Sequence, residues 1–539
     1  MKTKVYLKPN VVMEPLYQQW YAWPHLISPA TAAMNVVDRH LKIMNSYIQS
    51  PQIHAAAVKN IKMKGGPFID YGGKRVDEIK ALRDRTLEEA ASLIEFSESI
   101  KSLNELIRSE AVGQGMQALY DKIPENLKGF VELTYDLAGQ PSYKLFESLL
   151  YNSPLYNESF QSISMWITDN DERPFVLSTP RLEDDKSINL QIPFRSPLID
   201  KLSRMKRSPQ YLEELIEQLN IPEDKLDLFR SFFTDEAPPT YDRYMGDKVR
   251  MRYFGHACVL IETRNVSILV DPVVSYYGYQ QELDRFSDAD LPDVIDYVLI
   301  THNHQDHILF ETLLPLRHKI RNLVIPRAYN GLMQDPSLKL MFQRIGFDNI
   351  IELEDMETIH KADTIITGIP FIGEHCDLSI NSKLCYHIRV EDFSLMFMAD
   401  ACNVEPNLYR QVKKQIGEID VIMLGMECHG APLSWLYGPL VAGELSREKD
   451  ESRRLAGSDF EQARQIVDTF NPLEVYVYAM GMEPWLEYIS SINYTPESHP
   501  IVQSNMLLEY CKGDKVAERL FGEKEILYSK TVKYELKVA

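Results

Sequence analysis

Three of the 13 histidines of this 539-residue chain and one carboxylate fall within seven residues, Thr301-His302-Asn303-His304-Gln305-Asp306-His307. Imidazole and carboxylate are common ligands of divalent transition metals. Side chains two apart on an extended segment point the same way, so His302 and His304 can reach one ion together. Asp306 and His307 lie past the turn and can reach a second ion. A lone histidine is more often a satisfied surface or core residue. Four ligand types in this array point to a site for two metals.

The loop needs a rigid support. Val298-Leu299-Ile300, just before it, reads as the end of a buried strand. Short β-rich runs recur through this half: 249–253, 258–263, 266–270, 296–300, 322–325, 395–398, 421–424 and 474–478. Helical segments alternate with them, such as 459–470 with Ser458 as its N-cap. Polar clusters sit at the strand ends. Asp271-Pro272 stops one strand, and Glu427 and His429 follow another.

Residues 1–236 carry no recognisable chemistry and read as a mixed α+β unit. Segments 29–46 and 76–107 have helical periodicity. Ser208-Pro209 suggests a cap and N1 proline opening a helix over 210–219. Ile188, Leu190, Ile192 and Phe194 alternate with polar residues and Pro193, as on an edge strand. Asp235-Glu236-Ala237-Pro238-Pro239-Thr240 reads as a linker. The expected division is 1–236, a linker over 237–247, and 248–539.

With 78 acidic and 58 basic residues the net charge is -20, which argues against a nucleic-acid partner. Met1-Lys2-Thr3-Lys4 is not followed by an apolar signal region, and no apolar run is long enough to span a membrane. Six cysteines without CxxC spacing read as reduced thiols. These features suggest a cytoplasmic protein.

His-x-His-x-Asp-His after a buried strand resembles the metallo-β-lactamase fold, a C-terminal αββα sandwich over about 247–539. Asp271 is similar to its structural aspartate, Gly255-His256-Ala257-Cys258 to its early turn, and Asp400 to the carboxylate bridging two metals. Two positions depart from the hydrolases of that fold. Glu374, in Ile372-Gly373-Glu374-His375, aligns with a histidine ligand. Ala479 stands where a histidine ends the last strand. A site of two histidines and carboxylates with open positions suits iron that binds O₂.

The two-part layout and ligand set closely resemble the di-iron β-hydroxylase family of chloramphenicol biosynthesis. That resemblance implies a first metal on His302, His304, Glu374 and Asp400, and a second on Asp306, His307 and Asp400. It implies two iron ions (oxo- or carboxylate-bridged), O₂ as co-substrate and an external electron donor, whether an electron-transfer protein or a reductant. It implies a monooxygenase that hydroxylates the β-carbon of an aminoacyl group on a nonribosomal peptide synthetase carrier domain, with Glu374 as a catalytic ligand that changes its binding mode. A homodimer is also implied, with the N-terminal unit serving dimerisation or carrier docking. The alternative is a dinuclear zinc or manganese hydrolase, which needs the same loop and Asp400. A flavodiiron reductase would need a flavin site, for which no loop is evident.

Other groups are weighed beside these. Strand alternation would turn His375 away from the metals. Glu427 and His429 are candidates to line the pocket, and His256 to orient a ligand. The aromatic run Trp20-Tyr21-Ala22-Trp23-Pro24 reads as core or dimer packing. The charged run 446–454 reads as a solvated helix face or a lid. Arg204, Lys206 and Arg207 are candidates to receive an acidic carrier.

Overall fold

The computed structural model describes residues 4–239, 241–277, 283–328 and 331–528. Met1–Thr3 and Thr240, which entered the sequence reading, lie outside the described residues, as does the end of the expected C-terminal unit beyond 528.

Two seven-stranded sheets face each other in the C-terminal half. The first runs in the order 350–353, 323–326, 297–299, 267–270, 258–262, 249–255, 524–528. The second runs 358–361, 364–370, 384–390, 393–397, 421–425, 474–478, 516–519. In each, hairpin-connected antiparallel strands lead into four parallel ones. Alternation decides what lies between the sheets. Val249, Met251 and Tyr253 from one pack with Ile366, Tyr386, Leu395, Phe397 and Tyr478 from the other. The opposite face of the second sheet is covered by helices Pro406–Ile416, Phe460–Phe470 and His499–Cys511. Helices Phe310–Leu316 and Leu338–Arg344 share a core with the outer face of the first. This is the expected αββα sandwich.

The N-terminal half joins that outer core. A four-stranded sheet built on Val11–Tyr17 and Gln161–Ile167 packs beside helices Val76–Glu89 and Ala91–Glu110. The single helix expected over 76–107 is thus two, broken at Ala90. Trp20, Tyr21, Ala22 and Trp23 are all buried here, so this cluster is core and not an exposed interface. Arg173 bridges the halves, donating to Glu14 and to both oxygens of Glu311 at 2.7–2.9 Å.

Several sequence readings shift. Gln210–Tyr211 is a strand paired with Lys4 and Val5, so the helix starts only at Leu212 and Ser208 caps nothing. The strand from Ile188 stops at Leu190. Asp459, not Ser458, caps Phe460–Phe470, in a capping box with Gln462. Ser458 instead ties the helix start to the loop after Asp400, donating to Ala401 O and accepting from Asn403 N. Arg447–Ser452 is a helix with no buried residue.

Buried tyrosines fix the strand ends that carry the candidate ligands. Tyr386 Oη donates to Ile300 O at 2.8 Å, and Tyr478 Oη accepts from Ala399 N at 3.0 Å. Each hydroxyl satisfies a main-chain group one or two residues from His302 or Asp400, so the inter-sheet core and the site are set by the same side chains.

Candidate metal centre

His302, His304 and His307 follow the strand Tyr297–Leu299, Asp271 follows Ser267–Val270, and Asp400 follows Phe393–Phe397. Glu374 lies between the strands Thr364–Pro370 and Leu384–Val390. Sandwich geometry brings these strand ends to one place. His302 Nε2 lies 3.2 Å from His304 Nδ1 and 3.6 Å from Asp400 Oδ2. His304 Nδ1 is 3.2 Å from Glu374 Oε1, and His307 Nε2 is 3.1 Å from Asp400 Oδ2. Three overlapping groups could each hold an ion: His302, His304, Glu374 and His375; His256, Asp306 and His307; and His302, His307 and Asp400. All six expected ligands therefore converge.

Hydrogen bonds around the rim decide which nitrogen faces inward. Asp271 is wholly buried. Its Oδ1 accepts from Thr301 N at 2.8 Å. Its Oδ2 accepts from Thr301 Oγ1 at 2.6 Å and from His307 Nδ1 at 2.8 Å. With Nδ1 so engaged, Nε2 is the nitrogen that His307 would offer to a metal beside Asp400. This is the carboxylate–histidine–metal arrangement. Thr301 Oγ1, having donated its proton, accepts from His302 Nδ1 at 3.0 Å, which bares His302 Nε2. Tyr437 Oη lies 3.2 Å from His304 Nε2 and 2.9 Å from His375 Nδ1. If the hydroxyl accepts from His304 and donates to His375, His304 Nδ1 also faces inward bare. Two lone pairs 3.2 Å apart repel, and a cation between them resolves this. Asp400 Oδ1, buried and without a hydrogen-bond partner, asks for the same thing. The donor set fits a pair of metal ions.

That proton order leaves His375 with a proton on Nε2, 3.1 Å from Glu374 Oε2. His375 also donates its main-chain N–H to Glu374 Oε2 at 2.7 Å. The expectation that it points away is wrong. Residues 373–377 are not a strand but a left-handed turn, with φ of +75° at Gly373 and +49° to +56° at Glu374, His375, Cys376 and Asp377. Alternation does not apply to such a turn. Each non-glycine residue there costs roughly 1–2 kcal/mol, and strain of this kind concentrates at functional sites.

His256 plays a similar part at the second position. Its Nδ1 accepts from Gly481 N at 3.2 Å, so its proton sits on Nε2, 3.3 Å from Asp306 Oδ2. His256 thus lies against Asp306 and caps the Gly481 N–H. Ala479, at φ +54°, donates its N–H to His256 O at 2.9 Å. The position where hydrolases of this fold carry a histidine thus helps hold His256.

Without cations the electrostatics are adverse. Burial, reinforced by His307 and the other imidazoles, holds His302 far below the usual histidine range, and burial holds His304 at about 4. Burial and then the Asp400 charge push Glu374 well above the carboxylate range, and Glu427 likewise. Burial opposes the charged form of His307 too, but Asp271, Asp400 and Asp306 outweigh it. Bound dications would reverse this logic for the carboxylates.

The centre opens into a cavity of about 410 Å³ lined by His304, Asp306, Glu374, Asp400 and Glu427, by His429, Trp435 and Arg454, and by Lys62, Lys64 and Gly65 of the N-terminal half. Glu427 and His429 line it, as expected. Tyr437, Lys62 and Lys64 carried no sequence signal. The expected basic cluster does not reach it: Arg207 donates to the carbonyls of Asp288, Ala289 and Leu291, and half-buried Lys206 lies near the Asp288 carboxylate.

Residues 6–238 match the family of diiron non-heme beta-hydroxylase N-terminal domains, and residues 250–433 match the beta-lactamase superfamily domain. The chain is 39% identical over 525 residues to the 4-amino-L-phenylalanyl-[CmlP-peptidyl-carrier-protein] 3-hydroxylase of Streptomyces venezuelae, covering 95% of this chain and 98% of that protein. It superposes on the crystal structure of CmlA, a diiron beta-hydroxylase from Streptomyces venezuelae, with a TM-score of 0.91, 38% identity, and coverage of 98% of this chain and all of that one. A mutant CmlA structure gives a TM-score of 0.89 at 38% identity over 97% of this chain and 100% of that one.

Proposed function

The chain belongs to the diiron non-heme β-hydroxylases, and from that premise we propose that it β-hydroxylates an aminoacyl group tethered as a thioester to the carrier domain of a nonribosomal peptide synthetase. His302, His304, Glu374 and Asp400 would hold the first iron, and Asp306, His307 and Asp400 the second. When bound, the pair supplies the activation of O₂, with two electrons and two protons from outside, so that a Cβ–H bond becomes Cβ–OH and the other oxygen leaves as water.

The protein's own residues position and exclude. Asp271 and Thr301 keep the nitrogens of His302 and His307 turned inward, Tyr437 does so for His304, and His256 holds Asp306. Residues 1–236, divided from the sandwich by the 237–247 linker, close one side of the cavity, which keeps bulk water from the reacting carbon. The left-handed turn holds Glu374 where its carboxylate can change its mode of binding. A place in the cytoplasm follows from the synthetase partner. Among the described residues no helix is long and apolar enough to cross a membrane.

The observation that carries the reading is Glu374 at 3.2 Å from His304 Nδ1, a carboxylate in a ligand set otherwise shared with hydrolases. The zinc or manganese alternative would call for histidines where this chain has Glu374 and Ala479. The test is metal analysis and O₂ uptake of iron-grown protein given carrier-bound and free amino acids. Two irons, and a product one oxygen heavier from the carrier-bound substrate only, are expected. Two tightly bound zinc ions with no O₂ uptake would remove the reading.

A further inference from the structure

The cavity is electrically polarised along its length. Its floor holds Asp306, Glu374, Asp400 and Glu427, and its mouth holds Lys62, Lys64 and Arg454. Two irons would take up the charge of the first three carboxylates. Glu427, whose side chain makes no hydrogen bond or ion pair among the described residues, is left as a hydrogen-bonding group open to a ligand. A ligand that fits this arrangement has a polar hydrogen-bonding end inward and an anionic end outward. An aminoacyl group on a phosphopantetheine arm has that polarity, with its α-ammonium beside the thioester and its phosphodiester where the arm meets the carrier.

The mouth is built for a fixed contact. Lys62 and Lys64 belong to a short turn, Ile61–Met63, capped by Asn60 Oδ1, which accepts from Lys62 N at 3.1 Å. Gly65 seats the turn on the sandwich. Its φ is +75°, its carbonyl accepts from Trp435 Nε1 at 3.0 Å, and an added Cβ would meet Ser491 Cβ at 3.2 Å. Lys64 pairs with Glu487 and Arg454 with Glu451, while Lys59 and Lys62 have no carboxylate partner among the described residues. Between the lysines stand Ile61, 73% exposed, and Met63, 40% exposed. Lysines interleaved with exposed apolar side chains, Lys62 among them without a carboxylate partner, are conspicuous at the mouth of a site in a chain of net charge -20. Like charge over the rest of the surface would repel an acidic carrier, so local attraction must come from such a spot.

We propose that Lys62 and Lys64 form the subsite for the phosphodiester of the carrier's phosphopantetheine arm, and that Ile61 and Met63 beside them seat the carrier domain. This rests on the carrier-bound substrate assigned above.

The test compares binding of free 4′-phosphopantetheine and of pantetheine, which lacks the phosphate, to the iron-loaded full chain by calorimetry. The phosphorylated form is expected to bind about tenfold more tightly, less so as salt rises. The Lys62→Glu, Lys64→Gln double variant should lose that preference while its iron absorption bands and melting temperature stay those of the parent. Ile61→Asp should weaken binding of a whole phosphopantetheinylated carrier domain without changing the affinity for free phosphopantetheine. Equal binding of the two small probes by the parent, or an undiminished preference in the double variant, would overturn the proposal. A lysine-dependent preference in a protein that hydroxylates no carrier-bound amino acid would instead support the subsite and overturn the function it was built on.

Discussion

Asp271→Asn removes one charge and changes no volume, yet the geometry leaves the amide no workable orientation. If its oxygen takes the Oδ2 place, its NH₂ faces the Thr301 N–H, 2.8 Å away, donor against donor. If it is flipped, the NH₂ faces Thr301 Oγ1 and His307 Nδ1. The threonine hydroxyl can turn to accept, but His307 must then accept at Nδ1, which moves its proton to Nε2 and blocks the metal. A buried donor left unpaired costs about 1–3 kcal/mol. Loss of a partner that orients a ligand costs about 10–100-fold in metal affinity, or roughly 1.4–2.7 kcal/mol. The loss should fall mainly on the second metal, because His307 touches Asp271 directly, whereas of the first-metal ligands only His302 feels it, through Thr301, and His304 and Glu374 make no contact with it. The assay is anaerobic Fe(II) titration against a competing chelator, resolving two binding steps, with circular dichroism to confirm the fold. The variant should bind its first iron within a few-fold of the parent and its second at least tenfold more weakly. Parental affinity at both steps would refute the tautomer argument.

Three further perturbations test other parts of the site and fold. Tyr437→Phe strips the hydroxyl shared by His304 and His375, so the first iron should bind about 10-fold more weakly in the same titration while the second is little changed. Gly373→Ala would set a Cβ 2.3 Å from Cys402 Cβ at a φ of +75°, so the melting temperature should fall and the first iron should be lost most readily, the adjacent Glu374 having been displaced. Away from the metals, burial pushes the Glu147 carboxyl up to about 7 against the Ser337 and Gly331 N–H groups that it accepts. Between about pH 4.5 and 7 the unfolded chain has released a proton that the folded carboxyl keeps. Stability therefore falls as pH rises through that window, by up to roughly 3 kcal/mol. Thermal melts of metal-free protein should show this slope, and Glu147→Gln should flatten it relative to the parent.

The ligands that could be read from the sequence are those whose positions are set by strands. His302 to His307, Asp271 and Asp400 follow apolar runs of three to five residues, and such runs end where a buried strand meets solvent or a site. Strands without that signature escaped notice. Thr358–Lys361 and Val516–Arg519 are edge strands with polar sequences, and Thr364–Pro370 contains Gly368 and ends in proline, residues that weaken a strand pattern. Side chains that converge across hundreds of residues left no local trace either. Arg39, from the other half, donates to the carbonyls of Trp435 and Leu436 and helps to fix the segment from which Tyr437 reaches His304.

The segment 373–377 shows why the site could be listed but not assembled. A residue's identity says which ligand atoms it offers; its φ says where they go. Five consecutive left-handed residues, four of them non-glycine, cost several kcal/mol on the per-residue scale of roughly 1–2. No propensity rule would choose that conformation for Glu-His-Cys-Asp. It persists because neighbours determine it: Gly373 lies against Cys402, whose N–H donates to Ile372 O at 2.9 Å, and Arg453 Nε donates to Cys376 O at 2.8 Å. Cys402 lies two residues past Asp400, and Arg453 follows the helix Arg447–Ser452. The strain that turns Glu374 and His375 inward together is therefore held partly by the loop that carries Asp400. Loosening one of these anchors should lower affinity for the first iron before it unfolds the sandwich. Arg453→Ala is the mildest way to loosen one, and it should weaken the first iron in the chelator titration with little change in melting temperature. An unchanged titration would mean that the turn holds itself.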